Sequence, residues 1–162
     1  MSKNNEIEFN NIVSDILKND KFIQLKYEVH HGMNRLDHSL NVAKNTYKVA
    51  KKLNFKNYKE VTRAALLHDF FTIEDLNGHL QIIHPRVAVK NTKEFFELDE
   101  RQENVILSHM FPLSTVMPKY KESWLVSTID KLVAIQECAR YKVPLQAGAF
   151  MLFVINFLTI PR

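Results

Sequence analysis

Six side chains in this sequence are of the types that hold metal ions: His38, His68, Asp69, His84, His109 and Asp130. Histidine offers a neutral nitrogen and aspartate a hard anionic oxygen. Mixed sets of this kind suit iron, manganese, zinc, cobalt or nickel. The lone cysteine, Cys138, rules out both a structural zinc knot of thiolates and a disulfide framework, and it suits a reducing cytoplasm. His68 and Asp69 follow the apolar run Ala64-Ala65-Leu66-Leu67, and Asp130 follows Ile129. A carboxylate so close to an apolar helix face needs a compensating ion or partner, because burying it unpaired is costly.

Apart from the adjacent pair His68-Asp69, each of these residues falls within or at the end of a different predicted helix, and a bundle can aim such side chains at one point. Phe9, Ile12, Val13, Ile16 and Leu17 recur at helical spacing and stop at Asn19-Asp20. Tyr27 to Asn34 reads as a loop. Asn34 then caps a helix whose apolar face is Leu36, Leu40, Ala43, Tyr47 and Ala50. Asn57 and Glu60 read as a capping box for the next helix, which points Val61, Ala64, Ala65 and Leu67 inward and ends near His68. A loop over 72–83, with Asn77-Gly78 at its middle, leads to His84 and a helix started by Pro85. Asp99 with Gln102 opens a further helix, which Pro112 stops just after His109. Ser123 is placed to cap the helix of Ile129, Val133 and Ile135, and Pro144 to start a last, apolar one over 144–160. The expectation is an all-α bundle of roughly six or seven helices, forming a single domain over 1–162.

Composition fits that reading: 46% of the 162 residues are hydrophobic, and only three glycines and five prolines interrupt them. The net charge is +4, and the lysines are scattered rather than gathered into an arm, so nucleic acid is permitted as a partner but not indicated. The face carrying Lys44, Lys48, Lys51 and Lys52 reads as solvated, and Trp124, Phe95 and Phe96 as core. The first eleven residues are polar and lack the apolar stretch of a signal peptide. The apolar run over 147–160 is too short to span a bilayer and contains Asn156, so it packs within the chain or forms a homodimer interface. Cytoplasmic location is expected, with no membrane partner.

Arg35-Leu36-Asp37-His38-Ser39-Leu40, then Ala64 to Asp69, then Asp130-Lys131 resemble the signature of the HD-domain superfamily of metal-dependent phosphohydrolases. The ordered pattern is His, then His-Asp, then Asp, and the motif region spans about 35–137. The resemblance implies that His38, His68, Asp69 and Asp130 bind metal. Some branches add two histidines between the His-Asp pair and the last Asp, and His84 and His109 stand in that order. The chain therefore also resembles the two-metal branch that includes bacterial dinucleoside polyphosphate hydrolases. The implied cofactor is one or two divalent ions, iron, manganese or another transition metal, with magnesium disfavoured.

The implied activity is hydrolysis of a phosphomonoester or phosphoanhydride in a small substrate, a nucleotide or dinucleoside polyphosphate, by attack of a metal-bound hydroxide. In the two-metal version Asp69 bridges the ions, with His38, His68 and Asp130 on one and His84 and His109 on the other. Lys131 and Arg35 are the candidates for binding phosphate oxygens and offsetting transition-state charge. His31 and His79, in predicted loops, are candidates for touching substrate. The alternative is a nucleotide sensor that holds metal without useful turnover.

Overall fold

Capping chemistry sets most of the element boundaries. The computed structural model describes residues 1–30, 33–79 and 81–140, so His31 and the apolar helix expected over 144–160 lie outside the described residues. Helix α1, Lys3–Val13, starts where the Ser2 side chain accepts the Asn5 N–H, and it buries Phe9 and Val13. It stops earlier than expected, with Ile16–Lys18 continuing as a 3-10 turn. Asn19 opens an element rather than closing one: its side chain accepts the Phe22 N–H at 2.9 Å and caps the single turn α2, Asp20–Ile23.

In place of the loop expected before Asn34, β1 (Val29–His30) and β2 (Met33–Asn34) pair antiparallel, Val29 facing Asn34 and His30 facing Met33. Asn34 then caps α3, Arg35–Lys52, accepting the Asp37 N–H at 2.8 Å. Helix α4, Tyr58–Leu67, begins after Asn57, whose side chain makes no capping bond, so the expected box is absent there. Its φ of −101° and ψ of 32° lie outside the extended region that a side-chain cap needs. Helix α5, His84–Phe95, carries Pro85 in its first turn. Helix α6, Glu100–Ser108, has both halves of the Asp99–Gln102 capping box. Helix α7, Lys121–Arg140, starts before Ser123, whose buried hydroxyl instead donates to Asn104 Oδ1 at 2.7 Å.

These seven α-helices, with four short 3-10 turns, make the described residues all-α apart from the two-residue ladder. Helix α3 packs along α4 and α7, while α6 lies against α4, α5 and α7, and α1 covers α4. The shared core takes Val42, Ala43, Tyr47 and Ala50 from α3, Ala64 to Leu67 from α4, Ile106 from α6, and Val126 and Val133 from α7. The inward stripe of α3 is rotated from the expected one. Leu36 and Leu40 are only partly buried, while Arg35, His38, Ser39, Val42 and Thr46 turn inside. Trp124 and Phe95, expected in the core, are each 46% exposed. No helix among the described residues is long and apolar enough to cross a membrane.

The start of α3, the end of α4, the start of α5 and the end of α6 meet beside the middle of α7. That is where the six candidate ligands converge.

Candidate metal centre

His68 and His109 occupy the same place on their helices, the first residue past the last turn of α4 and α6. Each ring closes back on its own helix. His68 Nδ1 lies 2.8 Å from the Ala65 carbonyl oxygen, and His109 Nδ1 lies 2.7 Å from that of Ile106. A carbonyl only accepts, so both Nδ1 atoms carry the proton and donate it to one of the carbonyls a helix end leaves without a partner. That choice leaves both Nε2 lone pairs facing inward. His38, in the first turn of α3, behaves likewise: its Nδ1 donates to Glu137 Oε2 at 2.7 Å and its Nε2 stands 3.1 Å from Asp130 Oδ1.

The inward-facing atoms form two linked groups. His38 and His68 both point Nε2 at Asp130 Oδ1, at 3.1 and 3.5 Å. His84 and His109 both point Nε2 at Asp69 Oδ1, also at 3.1 and 3.5 Å. The other oxygen of Asp69, Oδ2, lies 3.8 Å from His68 Nε2. Asp69 therefore stands between the groups and shows one oxygen to each. His84 is held in place by its ring, stacked on that of Phe71 at 4.7 Å and 18°.

The histidines thus turn Nε2 toward two aspartates in a buried setting, and carboxylates so placed need a cation or protons between them and the rings. The donors fit a divalent ion. His68 Nε2 is wholly buried and makes no hydrogen bond. The sets His38, His68, Asp130 and His68, Asp69, His109 each bring their donor atoms within 4.8 Å of one another, so either can hold a metal ion. Distances of 3.1–3.5 Å between donors are close to the roughly 3 Å expected for neighbouring ligands about 2.1 Å from one ion.

With no ion, protons carry the compensating charge. Burial would push His38 down, but hydrogen bonds to Asp130 and Glu137 overcome it and raise its pKa to about 10. Burial likewise opposes the charged form of Asp69, yet the imidazoles of His68, His109 and His84 gathered around it hold it well below the usual carboxylate range. For Asp130 the hydrogen bond with His38 and the nearby ring of His68 override burial in the same way. His109 goes the other way, lowered chiefly by burial.

The two expected phosphate-binding cations are placed differently from the ligands. Arg35 is 2% exposed; its Nη1 donates to the Phe71 carbonyl at 2.8 Å and faces Glu28 Oε2 at 3.4 Å. Its guanidinium covers the Phe71 ring at 3.8 Å. Since His84 stacks on the same ring, and two flat groups at these distances cannot share one face, Phe71 is clasped between them. The fork of Arg35 thus braces the segment after His68-Asp69.

Lys131 Nζ donates to the His109 carbonyl, the Ser127 carbonyl and Ser127 Oγ at 2.9, 3.0 and 2.8 Å. All three of its protons have acceptors within the fold, and burial lowers its pKa. It ties the end of α6 to α7, a position where a cation is favoured by the helix dipole. His79 is exposed in the segment between α4 and α5, with its backbone N–H on the Leu76 carbonyl.

Sequence reasoning missed Glu137, which is 3% exposed and receives the His38 Nδ1 proton. A signal was available. Glu137 follows Asp130 by two helical turns on α7, so both carboxylates project from one face.

Comparison with known proteins agrees with this geometry. A family model described as "HD domain" matches residues 35–135, the stretch that carries all six converging residues. Ribonuclease Y from two strains of Ureaplasma parvum serovar 3 is 30% identical over 117 residues, covering 72% of this chain. The match covers 23% of each of those relatives, so the chain spans under a quarter of their length. No solved structure matches it. The matched segment, the order of His, His-Asp and Asp along it, and their convergence in space establish that the chain belongs to the HD-domain family of metal-dependent phosphohydrolases.

Proposed function

We propose that this chain hydrolyses a phosphoester or phosphoanhydride bond of a small phosphorylated substrate, a nucleotide or dinucleoside polyphosphate, using two divalent ions. The observation that carries this reading is the division of Asp69. Its Oδ1 faces His84 and His109 at 3.1 and 3.5 Å, and its Oδ2 faces His68 at 3.8 Å. His38, His68 and Asp130 would hold one ion, His84 and His109 the other, with Asp69 shared. Nitrogen-rich sets of this kind favour iron or manganese over magnesium. A bound divalent pair supplies Lewis acidity, acidifies water and offsets charge on the phosphoryl oxygens.

The protein's own groups set the stage for that chemistry. The backbone carbonyls of Ala65 and Ile106 fix the tautomers of His68 and His109, so both present Nε2. Phe71, clasped by Arg35, holds the His84 ring. Substrate would reach the cluster past Asp130, whose side chain is 14% exposed. With Arg35 and Lys131 hydrogen-bonded within the fold, the ions would supply positive charge against phosphate. His79 and His31 remain proposed substrate-side groups, and His79 sits in the segment joining two site-bearing helix ends.

A second reading is favoured by the relatives named Ribonuclease Y: a phosphodiester of RNA as the bond cleaved. One assay separates the two. Protein loaded with manganese is offered dinucleoside polyphosphates, nucleoside mono- and diphosphates, and short single-stranded RNA. Turnover of the small nucleotides alone supports the first reading, and RNA cleavage alone replaces it with the second. Tight binding of nucleotides without turnover would make the chain a metal-holding sensor.

A further inference from the structure

We propose that Glu137, supported by Asn41, is the positioning residue that sets the metal affinity of His38. The inference rests on the metal-binding reading of the cluster above. Glu137 reaches across from α7 to α3 in the core, and each of its oxygens has a separate task. Oε2 accepts a hydrogen bond from His38 Nδ1–H at 2.7 Å, while Oε1 accepts one from Asn41 Nδ2 at 3.0 Å. Asn41 lies three residues after His38 on α3, so one helix supplies both donors and the other supplies the acceptor.

This pairing does two things to the imidazole. It fixes the ring plane and tautomer, so that Nε2 alone faces Asp130 and the cluster. An ionised acceptor on Nδ1–H also makes Nε2 a stronger electron donor, as carboxylates behind ligating histidines do elsewhere. His68 and His109 have neutral backbone carbonyls behind them instead. Of the three, His38 therefore has a carboxylate rather than a carbonyl behind it, and the group containing it should be the tighter site. Asn41 completes the arrangement: with Nδ2 on Oε1, the carboxylate cannot rotate away from the ring, and its second oxygen is satisfied in a buried place.

The test is metal affinity, measured by competition of a chromophoric chelator for manganese and cobalt, on the full chain as parent, Glu137→Gln, Glu137→Ala and Asn41→Ala. Glutamine keeps an acceptor for Nδ1–H and loses the charge. The expected result is a loss of about tenfold in affinity at the tighter site for Glu137→Gln and 10- to 100-fold for Glu137→Ala. For Asn41→Ala a few-fold loss is expected, with the weaker site unchanged throughout. The visible spectrum of cobalt at the tighter site should shift in both Glu137 variants.

A purely structural role gives the opposite pattern, in which melting temperature falls while affinity per folded molecule and the cobalt spectrum stay those of the parent. That result overturns the proposal. If Glu137→Ala does not fold, Glu137→Gln and Asn41→Ala decide. A parent that binds no metal overturns the metal reading itself, whereas a binding parent with unchanged variants overturns this inference alone.

Discussion

The Nε2 atoms of His84 and His109 stand 2.9 Å apart, although they come from the start of α5 and the end of α6. His109 donates its Nδ1 proton to Ile106, so its Nε2 is a lone pair and, with no ion between them, accepts the hydrogen bond from His84 Nε2. Two nitrogens at right angles around one ion, each about 2.1 Å from it, are separated by roughly 3.0 Å. The pair is spaced for a shared ion, with Asp69 Oδ1 beside both. His84→Ala and His109→Ala should therefore each remove the same single equivalent of metal, and the double variant should remove no more. Elemental analysis checks this. Loss of two equivalents in the double variant would show that the histidines serve separate ions.

Arg35 should behave as a brace. Arg35→Ala leaves the Phe71 carbonyl without its buried partner and uncovers the ring that holds His84, so a stability loss of roughly 2–4 kcal/mol is expected. Arg35→Lys should recover little of it, because an ammonium cannot stack flat on Phe71. Urea denaturation of the three proteins measures both. A variant that keeps parental stability and only raises KM would return Arg35 to the role of a phosphate ligand.

Lys131 invites the parallel experiment. Replacing it with methionine keeps the aliphatic stem and deletes three donated hydrogen bonds, including the one to the His109 carbonyl. About 1–3 kcal/mol of stability should be lost. KM should stay near the parental value, whereas a phosphate-binding lysine would raise it with stability intact.

How much of this was legible in the sequence depended on how local each cause is. Asn34 and the Asp99–Gln102 box were readable because a cap bonds to backbone within three residues. The order His38, His68-Asp69, Asp130 was readable because chemistry restricts which residues serve, and the structure brings them together with His84 and His109. The internal acceptors of Arg35 and Lys131, the carbonyls of Phe71 and His109, were not readable because they become neighbours only through tertiary packing. For Glu137 the spacing from Asp130 was readable, but its partner His38, on another helix, was not. Asn57 has the right residue type for a cap but the wrong backbone angles, which composition does not encode. The exposure of Trp124 and Phe95 was equally out of reach, because helical spacing alone does not say which faces find partners.

Away from the site, Glu8 ties α1 to α3 and α4. It accepts hydrogen bonds from Lys51 at 2.6 Å and Tyr47 at 2.7 Å, and a further one from Tyr58. Those bonds, led by Lys51, hold its pKa down from 4.5 to about 2. A carboxylate lowered on folding stabilises the native state above its unfolded pKa and loses that contribution as pH falls through the folded value. Glu8→Gln should therefore melt below the parent at pH 7, and the gap should close as pH falls from 4.5 toward 2. Melting curves across that range measure it, and a gap independent of pH would show that packing, not charge, is what Glu8 contributes.

The convergent histidines and aspartates are expected to hold two divalent ions joined through Asp69. The most direct test is the metal content per chain of protein purified without a metal-affinity tag and reconstituted with iron or manganese. Close to two equivalents is the result expected from the two groups of ligands. One equivalent, unchanged in a His84→Ala/His109→Ala double variant, would contradict the paired site, and none after reconstitution would contradict metal-dependent hydrolysis altogether.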